Sequence, residues 1–124
     1  MVDEHAPWPV VAAQAANDKQ GNDVLVLAVG EVLAITDHFV IASAPNTRLV
    51  ATIAEEVERA VADAGGPRPL RVEGLDDRRW VLLDYGAFVV HVFLQEARDY
   101  YELERLWSDV PRVEWAEDAT LAGP

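Results

Sequence analysis

Apolar positions recur at spacings of three and four residues between Thr47 and Ala64, with charged residues at the positions between them. This pattern predicts an amphipathic α-helix with one face in the core. Asn46 or Thr47 can cap its start, and Gly65 supplies its stop. A narrower stripe of small apolar residues predicts a second helix over residues 9–20.

Shorter apolar runs predict strands. The first run is rich in β-branched residues, as expected of a strand that is covered on both faces. Two later runs, separated by Tyr85 and Gly86, predict a hairpin. The long helix lies between the second and third strands, so we expect a parallel crossover there. The predicted strands cover residues 24–29, 39–42, 70–72, 80–84 and 87–94.

The elements together predict an α/β (α+β) fold, with a mixed β-sheet of about five strands flanked by helices. A final helix is expected to begin near Asp99, which has a capping-box spacing to Glu102, and to end before Pro111. Helical spacing would place Tyr101 and Glu104 on its exposed side, and an exposed tyrosine beside fixed charges suggests recognition. The expected apolar stripe of this helix is Tyr100, Leu103, Leu106 and Trp107.

The length of 124 residues suits a single domain, which the pattern places at residues 9–110. Residues 1–8 are expected to be a flexible N-terminus, and residues 111–124 a loose acidic C-terminal tail. No signal-peptide pattern is visible, and every apolar run is far shorter than the roughly 20 residues that span a bilayer. We therefore expect a cytoplasmic protein without a membrane partner.

Charge narrows the possible functions. The chain has 22 acidic and 10 basic side chains, and its formal net charge of −12 is divided evenly between its two halves. Proteins that bind the phosphate backbone need basic patches, so little direct RNA contact is expected, whereas docking on a basic protein surface is favoured. The chain has no cysteine, which excludes disulfides and thiolate metal sites.

The histidines and serines of the chain do not have the spacing of a known catalytic or metal-binding motif. His5, His38 and His91 lie far apart and in no metal-ligand pattern, and no Gly-x-Ser-x-Gly element occurs. His91 lies inside an apolar strand and allows three interpretations. It is a half-buried ring bonded to a neighbour, which we favour, or a contact on a partner-binding face, or a catalytic group.

The aromatic and charged segment that begins at Trp80 carries a family resemblance. Its sequence is similar to that of the ribosomal silencing factors, also called Iojap-like proteins, and the similarity extends over about residues 9–110. The matching runs are Thr-Asp-His-Phe-Val-Ile-Ala at 36–42, Glu-Gly at 73–74, Trp-Val-Leu-Leu-Asp-Tyr-Gly at 80–86, Val-Val-His-Val-Phe at 89–93 and Arg-Asp-Tyr-Tyr-Glu-Leu-Glu-Arg-Leu-Trp at 98–107.

This resemblance implies a function that composition does not reveal. Family members have a nucleotidyltransferase-like topology without the catalytic motif. They bind the large ribosomal subunit through ribosomal protein L-fourteen, block its association with the small subunit sterically, and so repress translation under nutrient limitation. Many form homodimers. The resemblance therefore implies a translational repressor, with no cofactor and no metal.

The resemblance also implies which residues contact a partner, either the ribosome or a dimer mate. Among them, we hypothesise that Arg98, Tyr101 and Glu104 lie on the ribosome-facing surface. The carried-over residues are Trp80, Asp84, Tyr85, His91, Arg98, Tyr101, Glu104 and Trp107.

An alternative function is a small metal-dependent nucleotidyltransferase-like enzyme, with Asp84 or Glu73 as a metal ligand. Such an enzyme needs a Gly-Ser loop followed by two strand carboxylates with one residue between them, which hold the metal and the triphosphate. The chain has no such loop and no such carboxylate pair on a predicted strand. We therefore prefer the repressor and expect no enzymatic activity.

Overall fold

The computed structural model describes residues 8–116. Its helices are α1 (Trp8–Asp18), α2 (Thr47–Asp63), α3 (Gln95–Tyr101) and α4 (Leu103–Leu106). Its strands are β1 (Asn22–Ala28), β2 (His38–Ala44), β3 (Arg71–Glu73), β4 (Trp80–Asp84) and β5 (Phe88–Leu94). None of these helices is both long enough and apolar enough to cross a membrane.

The strands form one mixed sheet in the order β1-β2-β5-β4-β3. β2 and β5 are parallel, and every other neighbouring pair is antiparallel. The predicted mixed sheet of five strands flanked by helices is confirmed, as is the β4–β5 hairpin. β2 and β3 run in the same direction, as the predicted crossover requires, but β5 and β4 lie between them. β5 takes the central position because six of its seven residues are apolar, with apolar residues on both faces.

Each face of the sheet has its own hydrophobic core. α1 and α2 cover one face, where Val57 packs with Phe88 and Val90 of β5. α3 and α4 lie on the other face, where Ala97 packs with Phe93. This second cover lies over β1, β2 and β5. On the same face of β4, alternate side chains remain partly exposed.

The start of α2 agrees with the prediction, whereas the start of the last helix does not. Asn46 caps α2, because its side-chain oxygen accepts a hydrogen bond from the Leu49 N–H at 2.8 Å. α3 begins directly after β5 at Gln95, and Leu94 caps it with extended backbone and no side-chain bond. The predicted start near Asp99 is therefore wrong, because β5 passes into α3 without a polar capping residue.

One residue with a left-handed backbone conformation separates α3 from α4. Glu102 has a left-handed φ of 48°, and its N–H donates to the Arg98 carbonyl oxygen. A single helical spacing therefore does not extend from residue 100 to residue 107. Tyr100 and Leu106, which were expected in the apolar stripe, are exposed, while Leu103 and Trp107 pack against the core.

The segment 111–116 lies along the outer edge of β1, although the sequence predicts a loose tail from residue 111. The Val113 N–H donates to the Val26 carbonyl oxygen at 2.8 Å, and the Ala28 N–H donates to the Pro111 carbonyl oxygen at 2.9 Å. The difference arises because β1 is an edge strand, whose unpaired backbone groups bind this segment. Residues 117–124 of the predicted tail lie outside the described residues, as do residues 1–7 of the predicted flexible N-terminus.

Candidate partner-binding surface

A continuous chain of aromatic rings crosses the face of the sheet that α3 and α4 partly cover. The centroids of neighbouring rings lie 4.7–5.9 Å apart, and their planes are tilted or perpendicular. These are favourable geometries for aromatic pairs. Two of the inner rings of this series are buried, and the rings at its ends are partly or largely exposed. In order, its rings belong to Trp107, Phe39, His91, Trp80 and Tyr101.

Trp80 lies where this chain reaches the surface. Its side chain is partly exposed, and its ring packs on Phe93 at 4.7 Å and on Tyr101 at 5.0 Å. The indole Nε1–H donates a hydrogen bond to Nδ1 of His91 at 3.0 Å. The tryptophan thus has one apolar surface available and a fixed orientation, which are properties of interface anchors.

Trp80 and Leu82 form the wall of a shallow groove of about 300 Å³, which Glu73 and Gly74 complete. Gly74 has a positive φ of 90°, and a Cβ at this position would lie only 2.0 Å from the Trp80 carbonyl oxygen. Only glycine therefore permits the β3–β4 connection to pass this close to β4. The matching Glu-Gly pair of the sequence thus belongs to the same surface as Trp80.

Tyr101 continues this surface from β4 onto α3. Its side chain is 52% exposed, which is more than that of any other of the eight partner-binding candidates. The hypothesis that Tyr101 is accessible to a partner is consistent with this position. We call the patch formed by Trp80, Leu82, Tyr101 and the adjacent groove the docking face.

His91 lies behind the docking face. Its side chain is 5% exposed, and burial lowers its pKa from 6.5 to about 4. The ring packs edge-on against Phe39 at 4.7 Å. It is a buried ring bonded to a neighbour, which is the interpretation favoured from the sequence, and it contributes to the surface only through Trp80.

Arg98 is not on the surface, contrary to the hypothesis. It is 4% exposed, and its Nη1 donates to the Ser43 hydroxyl at 3.0 Å and to the Asn22 carbonyl oxygen at 3.1 Å. Its Nε donates to Glu104 at 3.3 Å. Glu104 is correspondingly only partly exposed. The pair is internal because α3 lies across the ends of β1 and β2, which places the guanidinium against their polar groups.

Tyr85 and Trp107 also lie away from the docking face. Tyr85 is buried and stacks on Phe88 at 4.4 Å, on the face that α1 and α2 cover. Burial raises its pKa to about 12. Trp107 packs edge-on against Phe39 at 5.7 Å beneath α4. Both residues stabilise the cores, one on each side of the sheet.

Asp84 and Glu73 both form ion pairs with the guanidinium of Arg71. Arg71 lies 3.1 Å from an Asp84 oxygen and 3.4 Å from a Glu73 oxygen. The other Asp84 oxygen accepts the Gly86 N–H at 2.9 Å, which closes the turn between β4 and β5. Within residues 8–116, no three histidine, aspartate or glutamate side chains are grouped as metal ligands. Asp84 therefore has a structural role in the hairpin turn.

Leu82, which was not among the residues expected to contact a partner, lines the groove beside Trp80. The available signal was the alternation along β4, where residues 80, 82 and 84 share one face of the strand. The continuously apolar run of residues 80–83 conceals this alternation. Only the incomplete cover of this face distinguishes Leu82 from the buried Val81 and Leu83.

Known proteins share both the sequence and the fold. Residues 4–122 match the family model described as ribosomal silencing factor during starvation. The ribosomal silencing factor RsfS of Bacillus subtilis is 41% identical over 101 residues, which are 82% of this chain and 85% of that protein. A mouse protein named mitochondrial assembly of ribosomal large subunit protein 1 is 31% identical over 93 residues, or 73% of this chain and 40% of the mouse protein.

A crystal structure of a Chromobacterium violaceum protein superimposes with a TM-score of 0.77 at 32% identity. The match covers 82% of this chain and 83% of that one. The family model matches nearly the entire chain, including the aromatic strands and helices described above. The chain is therefore a member of the RsfS family of ribosomal silencing factors, and it is a ribosome-associated regulator of translation.

Proposed function

We propose that this protein binds the large ribosomal subunit through ribosomal protein L-fourteen and sterically blocks association with the small subunit. It acts in the cytoplasm under nutrient limitation and lowers translation by keeping the subunits apart. The mechanism requires no bond to be made or broken. It requires one face that binds tightly and a folded domain behind that face that excludes the other subunit.

The observation that carries this proposal is the partly exposed pair of rings formed by Trp80 and Tyr101, whose centroids lie 5.0 Å apart. Tryptophan and tyrosine contribute much of the binding energy at protein interfaces, because each buries a large area and loses little rotamer freedom. Here both rings are already ordered by contacts within the protein. The docking face therefore needs little rearrangement on binding.

The charge of the protein supports a protein contact rather than an RNA contact. At −12, the chain is repelled by ribosomal RNA and attracted to basic ribosomal proteins. The mouse relative is named for assembly of the large ribosomal subunit, which supports that subunit as the partner. We infer that direct contact with RNA is small.

The free protein is proposed to form a homodimer through the docking face. An exposed aromatic patch is a common site of self-association, because association removes its apolar surface from water. In that case the dimer and the ribosome complex exclude each other. Light scattering of the purified protein should give a dimer mass, and the substitution Tyr101→Ala should shift it towards the monomer.

The primary test is sedimentation of a lysate from nutrient-limited cells. The protein should travel with free large subunits and be depleted from joined ribosomes. A protein that stays at the top of the gradient would contradict the proposal. Turnover of a nucleotide by the purified protein with Mg²⁺ would instead favour the alternative enzyme.

Tyr101→Ala tests the face itself. It should weaken binding to purified large subunits by at least tenfold and lower the melting temperature little, because the side chain is half exposed. Ile35→Ala is the matched control. Ile35 is 83% exposed and lies in the loop before β2, at the end of the sheet where β5 begins. Trp80 lies at the opposite end of the sheet, because it pairs with Phe93 near the end of β5. Equal loss of binding and of stability in Tyr101→Ala would show a core role.

A further inference from the structure

We propose that His91 is a positioning residue of the docking face. By accepting the indole hydrogen bond, it holds Trp80 in the orientation that the ribosomal partner binds. This inference rests on the proposed function, because it assumes that the docking face is the binding surface. It adds a buried residue whose effect on binding is transmitted through another side chain.

The geometry permits only one direction for this hydrogen bond. The indole nitrogen of tryptophan is a donor and never an acceptor, so Nδ1 of His91 must be unprotonated. The bond of 3.0 Å from Trp80 therefore places the single ring proton of the neutral imidazole on Nε2. Protonation of His91 would convert Nδ1 into a second donor and break the bond.

Trp80 needs such a restraint because of its place in the fold. It is the first residue of β4, and its side chain is partly exposed over the uncovered part of the sheet. Phe93 and Tyr101 contact its ring, but apolar contacts do not select one rotation of the indole. A directional hydrogen bond does select one, and an anchor that is ordered in advance loses less entropy on binding.

The chemistry of His91 argues against a role in packing alone. Its Nε2 is buried and has no hydrogen-bond partner within residues 8–116. A buried polar atom without a partner lowers stability, and an apolar ring of similar shape would avoid that cost. The imidazole provides one thing that such a ring lacks, which is an acceptor for Trp80.

Three variants separate the acceptor from the shape of the ring. His91→Phe keeps an aromatic ring but has no acceptor, and His91→Leu replaces it if the first variant does not fold. His91→Asn returns an acceptor oxygen near the position of Nδ1. Ile41→Val is the matched control, because Ile41 is buried and directly opposite His91 in the sheet, while it makes no hydrogen bond to Trp80.

The first measurement is the Trp80 Nε1–H signal in nuclear magnetic resonance, which Trp80→Phe identifies among the four tryptophans. In His91→Phe this signal should shift, and its proton should exchange faster with water. His91→Asn should restore slow exchange, and Ile41→Val should leave the signal in place. An unchanged signal in His91→Phe would show that the hydrogen bond does not hold the ring, and would overturn the inference.

The second measurement is affinity for purified large ribosomal subunits. His91→Phe should bind roughly tenfold more weakly, which is the scale of one hydrogen bond, and His91→Asn should recover most of the loss. In a Trp80→Phe background, His91→Phe should have no further effect. Wild type that binds no subunits would refute the proposed function. Wild type and His91→Phe binding equally, with a changed indole signal, would refute only the positioning role.

Discussion

The state of individual residues depends on burial that arises from distant parts of the chain. His91 is neutral because β5 is central and aromatic rings surround it, and burial lowers its pKa to about 4. The unfolded chain has no such environment, and its histidine titrates near 6.5. The stability of the protein is therefore linked to pH at this residue.

Between pH 6.5 and 4, the unfolded chain binds a proton at His91 and the folded chain does not. The lowered pKa of His91 therefore does not destabilise the protein above this window, and the destabilisation grows as the pH falls through it. From about pH 7 to about pH 5, the free energy of unfolding should fall by about 2 kcal/mol more in wild type than in His91→Phe. Denaturant unfolding at both pH values measures this difference, and identical pH dependence would contradict it.

The buried side chain of Arg98, in α3, donates hydrogen bonds to groups of β1, β2 and α4. Replacing it with methionine leaves Glu104 and the Asn22 carbonyl oxygen without their buried donor. Arg98→Met should lower the free energy of unfolding by about 3 kcal/mol, because a buried guanidinium that bonds Glu104, Asn22 and Ser43 is lost. The control Arg105→Met removes an exposed pair with Glu102 and should cost less than about 0.5 kcal/mol. Equal losses in urea titrations would place Arg98 on the surface after all.

At this scale the sequence identified important residue types but not their exposure. The family resemblance implied partner contacts for Tyr85, His91 and Arg98, and each is buried. Tyr101 was expected to be exposed, and it is. A local pattern gives the side of a strand or helix on which a residue lies, but it does not show what packs against that side.

At the scale of elements, β1 provides an example of an edge that a distant segment covers. Trp115 holds segment 111–116 in place, because its indole donates to the Val24 carbonyl oxygen at 3.0 Å and its ring packs against the core. Gln14 of α1 donates to the Trp115 carbonyl oxygen at 2.9 Å. Segment 111–116 thereby pairs the carbonyl oxygens of Val24 and Val26 and the N–H of Ala28 along this edge.

Trp115→Ala should detach this segment from β1. We expect a loss of about 2 kcal/mol in stability, below the value for a fully buried tryptophan because the side chain is only partly buried. The amides of Ala28 and Val113 should lose their protection from hydrogen exchange, while those within β5 keep theirs. Trp115→Phe retains the packing and should lose only about 1 kcal/mol. Unchanged exchange at Val113 in Trp115→Ala would contradict this account.

Elements with strong local signals were predicted well. The spacing and the cap of α2 are encoded within about 20 neighbouring residues, and the β4–β5 hairpin is marked by Gly86 with its positive φ of 87°. The start of α3 has no such signal, because Leu94 ends a strand and caps a helix at once. The interruption of the helix at Glu102 is stabilised by the hydrogen bond of its N–H to the Arg98 carbonyl oxygen and by the packing of Leu103 against the core. Local spacing does not reveal these contacts.

At the scale of the whole molecule, the small docking face belongs to a chain with a net charge of −12. Charges far from an interface act mainly on the rate of encounter, whereas contacts within it act on the rate of dissociation. A basic protein partner on the ribosome would be approached faster than a neutral one. The excess of acidic residues thus complements the aromatic anchors.

The association rate with large subunits should therefore fall by about an order of magnitude when salt is raised from about 50 mM to about 500 mM, since screening shortens the range of attraction. The dissociation rate should change much less. Stopped-flow measurements with labelled protein give both rates. An association rate that rises with salt would mean that the partner surface is acidic or that RNA dominates the contact.

The sequence by itself determined the two main helices, the hairpin, the charge and the family. These properties depend on neighbouring residues or on composition, which a linear pattern retains. Only the tertiary structure decided the strand order, the attachment of residues 111–116, and the exposure of each aromatic ring. Those properties arise where segments far apart in the chain compete for the same surface, so that Arg98 became internal while Trp80 and Tyr101 remained available to a partner.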